Sequence, residues 1–261
     1  MLIEIAGPET LAVEVVGVSR RNAPPRPGYR HLSVDLVDPD ACRRAFEGLP
    51  GATHVFYAAF QASSGTAAGY ASNIGPNRDM LVNAVCAIDP LSSALERIVL
   101  VTGTKYYGTH LGPFKTPARE SDPRHLPPNY YFDQIDWLTA YQEGRRWTWS
   151  ELRPQTLCGF APGTAMSILP AIAVYASVSR ALGLPLRFPG KPGAYRSIYQ
   201  VTDSSHMAAA ALWAATEPRC ANEAFNITNG DYFRWCNLWP RIAEVLEMPV
   251  GGAQRSSLTD Q

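Results

Sequence analysis

The sequence predicts an α/β protein built on a doubly wound, mostly parallel sheet. Two observations predict it. Short runs rich in Val and Ile alternate with longer segments of helical periodicity, the pattern of strand–helix–strand units. Of 261 residues 46% are apolar and only 18% charged, so a sizeable core can be buried between the layers. Right-handed crossovers then bring the loop after each strand to one edge of the sheet, where ligands bind.

The elements follow in order. Ala12–Val18 (AVEVVGV) reads as a strand running into the polar loop Ser19–Gly28, and Tyr29–Val34 as the next strand. Asp38–Leu49 opens on acidic residues and carries periodic apolar ones, so a helix is expected. Thr53–Phe60 is a strand, Asn77–Ile88 a helix and Arg97–Thr102 (RIVLVT) a buried strand ending at Gly103. Tyr131–Glu143 reads as a helix, Thr148–Arg153 as a strand and Ser167–Leu182 as a helix. Ala-rich Asp203–Thr216, the short strand Ala224–Ile227 and the helix Phe233–Leu246 complete the set. The expected division is 1–154 for the nucleotide-binding core and 155–261 for a smaller substrate-side region with the remaining sheet elements.

The front of the sheet departs from the usual plan. Such sheets open with a strand, a glycine-rich turn and a helix whose N-terminus faces a pyrophosphate. Leu2–Gly7 (LIEIAG) resembles a first strand, but too few residues follow Gly7 for a crossover, which takes at least ~10–12 residues. No GxGxxG or GxxGxxG occurs there. The expectation is that Met1–Ile5 is the tail of the first helix, with the first strand and glycine loop upstream. That strand normally lies inside the sheet, so without it two strand edges stay unpaired.

Composition excludes several classes. Lys+Arg and Asp+Glu are 23 each, a balance that does not attract nucleic acid or an acidic membrane. Cysteines 42, 86, 158, 220 and 236 show no CxxC spacing, which argues against a disulfide framework or a zinc site. No apolar stretch reaches the ~18–20 residues that span a bilayer, and no signal-peptide pattern opens the chain. No metal and a cytoplasmic location are expected; a homodimer is left open. Trp147, Trp149, Trp213, Trp235 and Trp239 read as packing residues, His54 as a satisfied core or surface residue, and Cys158 as a buried thiol. His110, His125 and His206 lack metal-ligand spacing.

Several short stretches carry chemistry. Ser19-Arg20-Arg21 closes a strand whose end, in a Rossmann-like sheet, faces the adenosine ribose; arginine there accommodates the 2′-phosphate of NADP(H). Asp35-Leu36, after the next strand, is placed to contact the adenine. In Val101–Tyr107 (VTGTKYY), Lys105 stands at the ligand edge. Asn129-Tyr130-Tyr131 opens a helix, yet Gln134 and Ile135 stand four residues after the two tyrosines. The Tyr-x-x-x-Lys pairing of short-chain dehydrogenases is therefore absent, and a lysine from the strand end can take its place, its ammonium lowering the phenol's pKa.

The stretches VVGVSRR, VDLVDP, THVFYAAF, VTGTKYYG with LGPF, PNYYFDQIDWL, TWSELRPQTLCGF, RFPG and ANEAFNITNGDYFRWCNLWPRIAEVL agree in order with one family. The chain resembles the progesterone 5β-reductase/iridoid synthase-like (PRISE) family of atypical extended short-chain dehydrogenases/reductases over nearly all of residues 12–247. The resemblance implies catalytic Lys105 in a TGxKxY motif and catalytic Tyr131 after an Asn-aromatic pair. It implies Ser19, Arg20 and Arg21 at the 2′-phosphate, Asp35 and Leu36 at the adenine, and Thr102 and Gly103 beside the cofactor. Leu157 falls where the family's backbone meets the nicotinamide, and Asn77 matches a family asparagine with a structural or catalytic role. Ala59-Phe60, Gln155 and Cys158 depart from the family on the substrate side.

The resemblance implies NADPH-dependent 1,4-reduction of activated C=C bonds in a small apolar enone or enal. The alternatives are a truncated or non-catalytic NADP-binding protein and an extended-type carbonyl reductase, epimerase or dehydratase. The latter enzymes keep Tyr-x-x-x-Lys, which this chain lacks.

Overall fold

The computed structural model describes residues 14–22, 27–49, 51–62, 71–126, 128–159 and 167–253. The expectations on Met1–Ile5, Leu2–Gly7 and the first residues of the Ala12–Val18 strand lie outside the described residues. The chain divides into two compact units. One holds Met1–Pro154 and Ala208–Ile227; the other holds Gln155–Met207 and Thr228–Gln261.

In the first unit, β1 (Val15–Ser19) pairs in parallel with β2 (Tyr29–Ser33). α1 (Pro39–Phe46) follows, with Asp38 Oδ1 accepting from the backbone N–H of Asp40 at 2.9 Å and of Ala41 at 3.0 Å. That cap and Pro39 in the first turn set the helix start, and Cys42 and Phe46 form its buried stripe. β3 (His54–Tyr57), β4 (Arg97–Val101), β5 (Thr148–Pro154) and β9 (Glu223–Ile227) form a four-stranded sheet in the order β3-β4-β5-β9. All three pairings are parallel. Both neighbours of β4 are strands and its first four residues are buried, which is why an unbroken apolar run follows Arg97.

α2 (Ile74–Ile88) packs against α1 and against α3 (Tyr130–Gln142). One core cluster gathers Val34, Leu36, Phe46, Leu81, Ile98, Leu100 and Leu138, with Val18 and Leu32 packed on it, so both sheets share a core. Among the described residues β1 pairs only with β2, and β3 only with β4, so each keeps one unpaired edge. The doubly wound, mostly parallel architecture is observed, with its sheet in two pieces.

Some boundaries differ from expectation for local reasons. β3 stops at Tyr57 rather than Phe60, because the loop beyond it bonds to a side chain: Gln61 donates its N–H to Asn77 Oδ1 at 2.9 Å. α2 begins three residues before Asn77, since Pro76 is tolerated in a first turn that needs no internal N–H.

In the second unit, β6 (Leu157–Cys158) pairs in parallel with β8 (Thr202–Asp203), and β7 (Ile198–Tyr199) pairs antiparallel with β10 (Phe233–Arg234). Two-residue strands carry no periodicity, so the sequence did not announce them. α4 (Ile168–Ala181) and α7 (Trp235–Val245) belong here, with the short α5 (Pro192–Arg196). Phe188, Trp235, Trp239 and Leu186 anchor its core, and Trp239 Nε1 donates to the Leu186 carbonyl at 3.2 Å. α6 (Ser204–Thr216) leads to β9. Trp147, Trp235 and Trp239 are buried, whereas Trp213 is exposed and meets Phe225 edge-on.

Candidate active site

The site builds from the carboxyl end of β4. Thr102 and Gly103 leave the strand, and Thr104–Tyr107 form one 3₁₀ turn that presents Lys105. Gly103 has φ +151°, and a methyl group there would stand 3.4 Å from both the Tyr131 Oη and the Pro154 carbonyl oxygen. The positive φ is what favours glycine here, and the phenol rests against this strand end.

Tyr131 is brought there by the start of α3. Asn129 is the cap residue: its Oδ1 accepts from the Tyr131 N–H at 3.1 Å. Its Nδ2 donates to the Lys105 carbonyl at 2.9 Å. One asparagine thus fixes both the backbone of the lysine turn and the helix of the tyrosine. His125 adds to the same carbonyl, its Nε2 3.1 Å from the Lys105 oxygen and its Nδ1 2.6 Å from that of Leu126. His125 also meets the Phe132 ring at a tilt, with centroids 5.1 Å apart, and the His110 ring at 5.5 Å. Burial pushes the His110 imidazole below its usual pKa, and the nearby His125 and Lys105 charges push the same way.

Lys105 is half-buried, and burial lowers the pKa of its ammonium. Among the described residues no carboxylate forms an ion pair with it. An ammonium without a carboxylate partner, two residues along the chain from the glycine beneath the Tyr131 phenol, can stabilise negative charge developing on a substrate oxygen. Tyr130 stacks on Phe60 with ring centroids 5.7 Å apart, and its ring meets Tyr131 at 4.5 Å. Phe60, a departure from the family pattern, therefore forms an apolar wall beside the tyrosine.

Asn77 is fully buried and its side chain is spent on backbone. Besides the Gln61 N–H, it serves the carbonyls of Gln61 at 3.1 Å and Asn73 at 2.8 Å. Its own carbonyl accepts from Gln134 at 2.8 Å. That is a structural clamp between the loop after β3 and α3. Thr102 is buried as well, its Oγ1 donating to Glu151 Oε1 at 2.7 Å.

A second cluster lies at the carboxyl ends of β1 and β2. The hydroxyls of Ser19 and Ser33 hold the carbonyls of Arg21 at 2.7 Å and Arg20 at 2.9 Å, leaving both arginine side chains exposed. Asp35 Oδ1 accepts from the Val37 N–H at 3.1 Å, shaping the turn after β2. Leu36 sends its side chain into the core and its carbonyl to Asn83 at 2.9 Å. Leu157 belongs to the second unit, half-buried in β6. Beside it, burial and then the Asp203 charge raise the pKa of the Cys158 thiol, which keeps it un-ionised.

Sequence reasoning brought Lys105, Tyr131, Thr102 and Gly103 to one place but missed several partners. Asn129 was readable as a helix cap. Glu151 and Arg153, charged residues at alternate positions of a buried strand, carried a signal for a buried ion pair that went unused. His125 carried none.

Comparisons with known proteins give the family and the fold. The family model of a PRISE-like Rossmann-fold domain matches residues 42–255. A (S)-8-oxocitronellyl enol synthase of Nepeta cataria is 34% identical over 253 residues, 91% of this chain and 63% of that protein. A 3-oxo-Delta(4,5)-steroid 5-beta-reductase of Arabidopsis thaliana is 34% identical over 251 residues, 88% of this chain and 61% of that protein. A short chain dehydrogenase of Penicillium aethiopicum is 33% identical over 84% of this chain and 59% of its own length. The chain thus spans about three fifths of the length of these curated relatives. Among solved structures, UDP-glucose 4-epimerase of Thermus thermophilus in complex with NAD superposes with TM-score 0.71 at 19% identity, over 94% of this chain and 79% of the other. RMD from Pseudomonas aeruginosa complexed with NADPH gives TM-score 0.70 at 16% identity, over 88% and 77%. At that identity the likeness is one of fold.

Proposed function

The chain belongs to the PRISE-like Rossmann-fold family, and from that premise we propose that it is an NADPH-dependent oxidoreductase reducing the C=C bond of a small apolar enone or enal. The observation that carries this reading is the Tyr131 phenol resting over Gly103, with Lys105 two residues further along the same strand end and no lysine on the tyrosine's own helix face. The names of the plant relatives, an enol synthase and a steroid 5-beta-reductase, support the reaction class.

The residues present suit a phosphorylated dinucleotide. Arg20 and Arg21 are exposed at a strand end, and among the described residues neither pairs with a carboxylate, so both guanidinium forks are open to a 2′-phosphate. Thr102 and Gly103 leave backbone at the β4 end for a flat ring to approach. Asp35 and the Leu36 backbone would border the adenine. When bound, NADPH supplies the hydride for the substrate's β-carbon.

Tyr131 donates a hydrogen bond from Oη to the substrate's carbonyl oxygen and strengthens it as that oxygen becomes an enolate. The Lys105 ammonium stabilises the same charge and lowers the pKa of the phenol. Phe60 and Tyr130 offer an apolar surface to the substrate's carbon skeleton. A cytoplasmic location fits five cysteines that are all free.

The test is NADPH oxidation with progesterone and with 2-cyclohexen-1-one, the saturated ketone being identified by mass spectrometry. Turnover of either is expected. Folded protein that binds NADPH and reduces no enone would overturn the assignment.

A further inference from the structure

Beneath the site lies a polar network that the reaction described so far does not use. Glu151 and Arg153 stand two apart on β5, hence on one face of the strand, and are 1% and 4% exposed. Arg153 Nη2 donates to Glu151 Oε2 at 2.7 Å, and Glu151 Oε1 accepts from Thr102 at 2.7 Å. Arg153 Nη1 donates to the Tyr107 hydroxyl at 3.1 Å and to the Glu120 carbonyl at 3.2 Å. The Tyr107 hydroxyl donates a hydrogen bond to Asn226 Oδ1 at 2.7 Å, and the Asn226 N–H donates to Glu120 Oε1 at 2.7 Å. The guanidinium carbon lies 3.4 Å from the centre of the Tyr106 ring.

A buried ion pair is a poor source of stability, because desolvating both charges offsets most of their attraction. Its contacts show a different use. Thr102 comes three residues before Lys105, and Tyr106 and Tyr107 follow it directly. The pair therefore grips the lysine turn at both ends, while Asn129 and His125 hold its middle through the Lys105 carbonyl. No described carboxylate holds the ammonium, so the turn's backbone sets the point from which the lysine side chain reaches. We propose that Arg153, paired with Glu151, is a positioning residue for Lys105, acting through Tyr107 at one end of the turn and Thr102 at the other. As to its purpose this rests on the reductase reading, since positioning an ammonium matters only where it acts.

The experiment reads Lys105 directly. The chain has three lysines, Lys105, Lys115 and Lys191. Reductive ¹³C-methylation therefore gives three side-chain NMR signals besides the N-terminus, and Lys105→Arg assigns the one of interest. In the unsubstituted protein the Lys105 signal is expected to titrate at lower pH than the other two. Tyr107→Phe keeps the ring and removes only the hydroxyl. It should move the Lys105 midpoint by about half a pH unit or more, roughly a threefold change in the equilibrium, and leave Lys115 and Lys191 in place. Arg153→Met should move it further; if that variant does not fold, Tyr107→Phe alone decides. The same Tyr107→Phe protein should lose about tenfold in kcat with 2-cyclohexen-1-one at unchanged KM, as expected for a misplaced charge-stabilising group. A Lys105 midpoint that stays at the unsubstituted value overturns the proposal whatever happens to kcat or Tm. If the midpoint moves but the unsubstituted protein reduces no enone, the reductase reading fails and the positioning role stands.

Discussion

Two strand ends in one unit are built on opposite principles. At the end of β4 the chain is surrounded: the strand has neighbours on both sides, its first four residues are buried, and the turn beyond it is tied by Thr102, Tyr107, Asn129 and His125. At the end of β1 the chain belongs to a two-stranded ribbon, partly exposed, with two serine hydroxyls holding the loop. The first arrangement suits a step that depends on where a charge sits to within a fraction of an ångström. The second suits recognition by flexible, fully charged side chains that reach for a phosphate. Reaction geometry and cofactor choice are thus separable, and substitutions at the two ends should fail in different kinetic parameters.

The largest effect is expected at the buried end. Tyr131→Phe removes the one hydroxyl aimed over Gly103, and kcat for enone reduction should fall about 10²-fold or more, in the range of a lost acid–base group. NADPH affinity, measured by fluorescence titration, should stay within about twofold, since a group acting only in the transition state does not bind the ground state. A matching loss of NADPH affinity would mean that the two ends are not separable.

The exposed end should fail the other way. Replacing Arg20 and Arg21 together by Ala removes two charge-assisted contacts of about 1.5–3 kcal/mol each, so KM for NADPH should rise at least about tenfold. NADH kinetics and kcat should change little. Steady-state measurements with both cofactors check this, and an equal loss with NADH would move the 2′-phosphate site elsewhere.

The same contrast explains what could be read from the sequence. The β4 strand was legible because a strand buried on both faces reads as a near-continuous apolar run, which residues 98–101 supply, whereas β5 carries Ser150, Glu151 and Arg153 buried among its apolar residues. Lys105 and Tyr131 were legible by the motifs around them. The bonds that hold them were not, because they join residues far apart in the chain: Arg153 reaches back 46 residues to Tyr107, and Asn226 receives a bond across 119. The exposed end was legible only as a motif, since an arginine on a surface loop has the same local sequence whether or not it meets a phosphate. The division of the chain was hidden for a similar reason. Ala208–Ile227 returns to the first unit to place β9 beside β5, a pairing that nothing local in that segment announces.

Asn129→Ala should show an intermediate effect at the buried end. It removes a helix cap, worth about 1 kcal/mol, and the side-chain donor to the Lys105 carbonyl. A fall in Tm of about 2–4 °C is expected for a unit of this size. A few-fold loss of kcat should accompany it, since the rest of the turn stays tied through Thr102 and Tyr107. Asn129→Asp keeps the cap but not the donor. It should restore Tm without restoring kcat, a split that differential scanning fluorimetry and turnover together can resolve.

The smallest expected effect concerns stability and comes from Lys105 itself. Burial lowers the pKa of this ammonium, so the folded chain binds its proton less readily than the unfolded chain does. Such a group destabilises the fold at pH values below its folded pKa, and the cost fades as pH rises from that value to the unfolded value of about 10.4. Lys105→Met, which keeps the chain length and drops the charge, should therefore raise Tm near neutral pH. The side chain is only half-buried, so solvent screens the penalty and the gain should be no more than about 1–3 °C. The gain should shrink when the melts are repeated at rising pH. Arg21→Met at the exposed end removes a charge that is already solvated and should leave Tm within about 1–2 °C at every pH, as surface substitutions usually do. A pH-dependent gain at Arg21, or a loss at Lys105, would show that the two strand ends do not differ in how far they hold charge away from water.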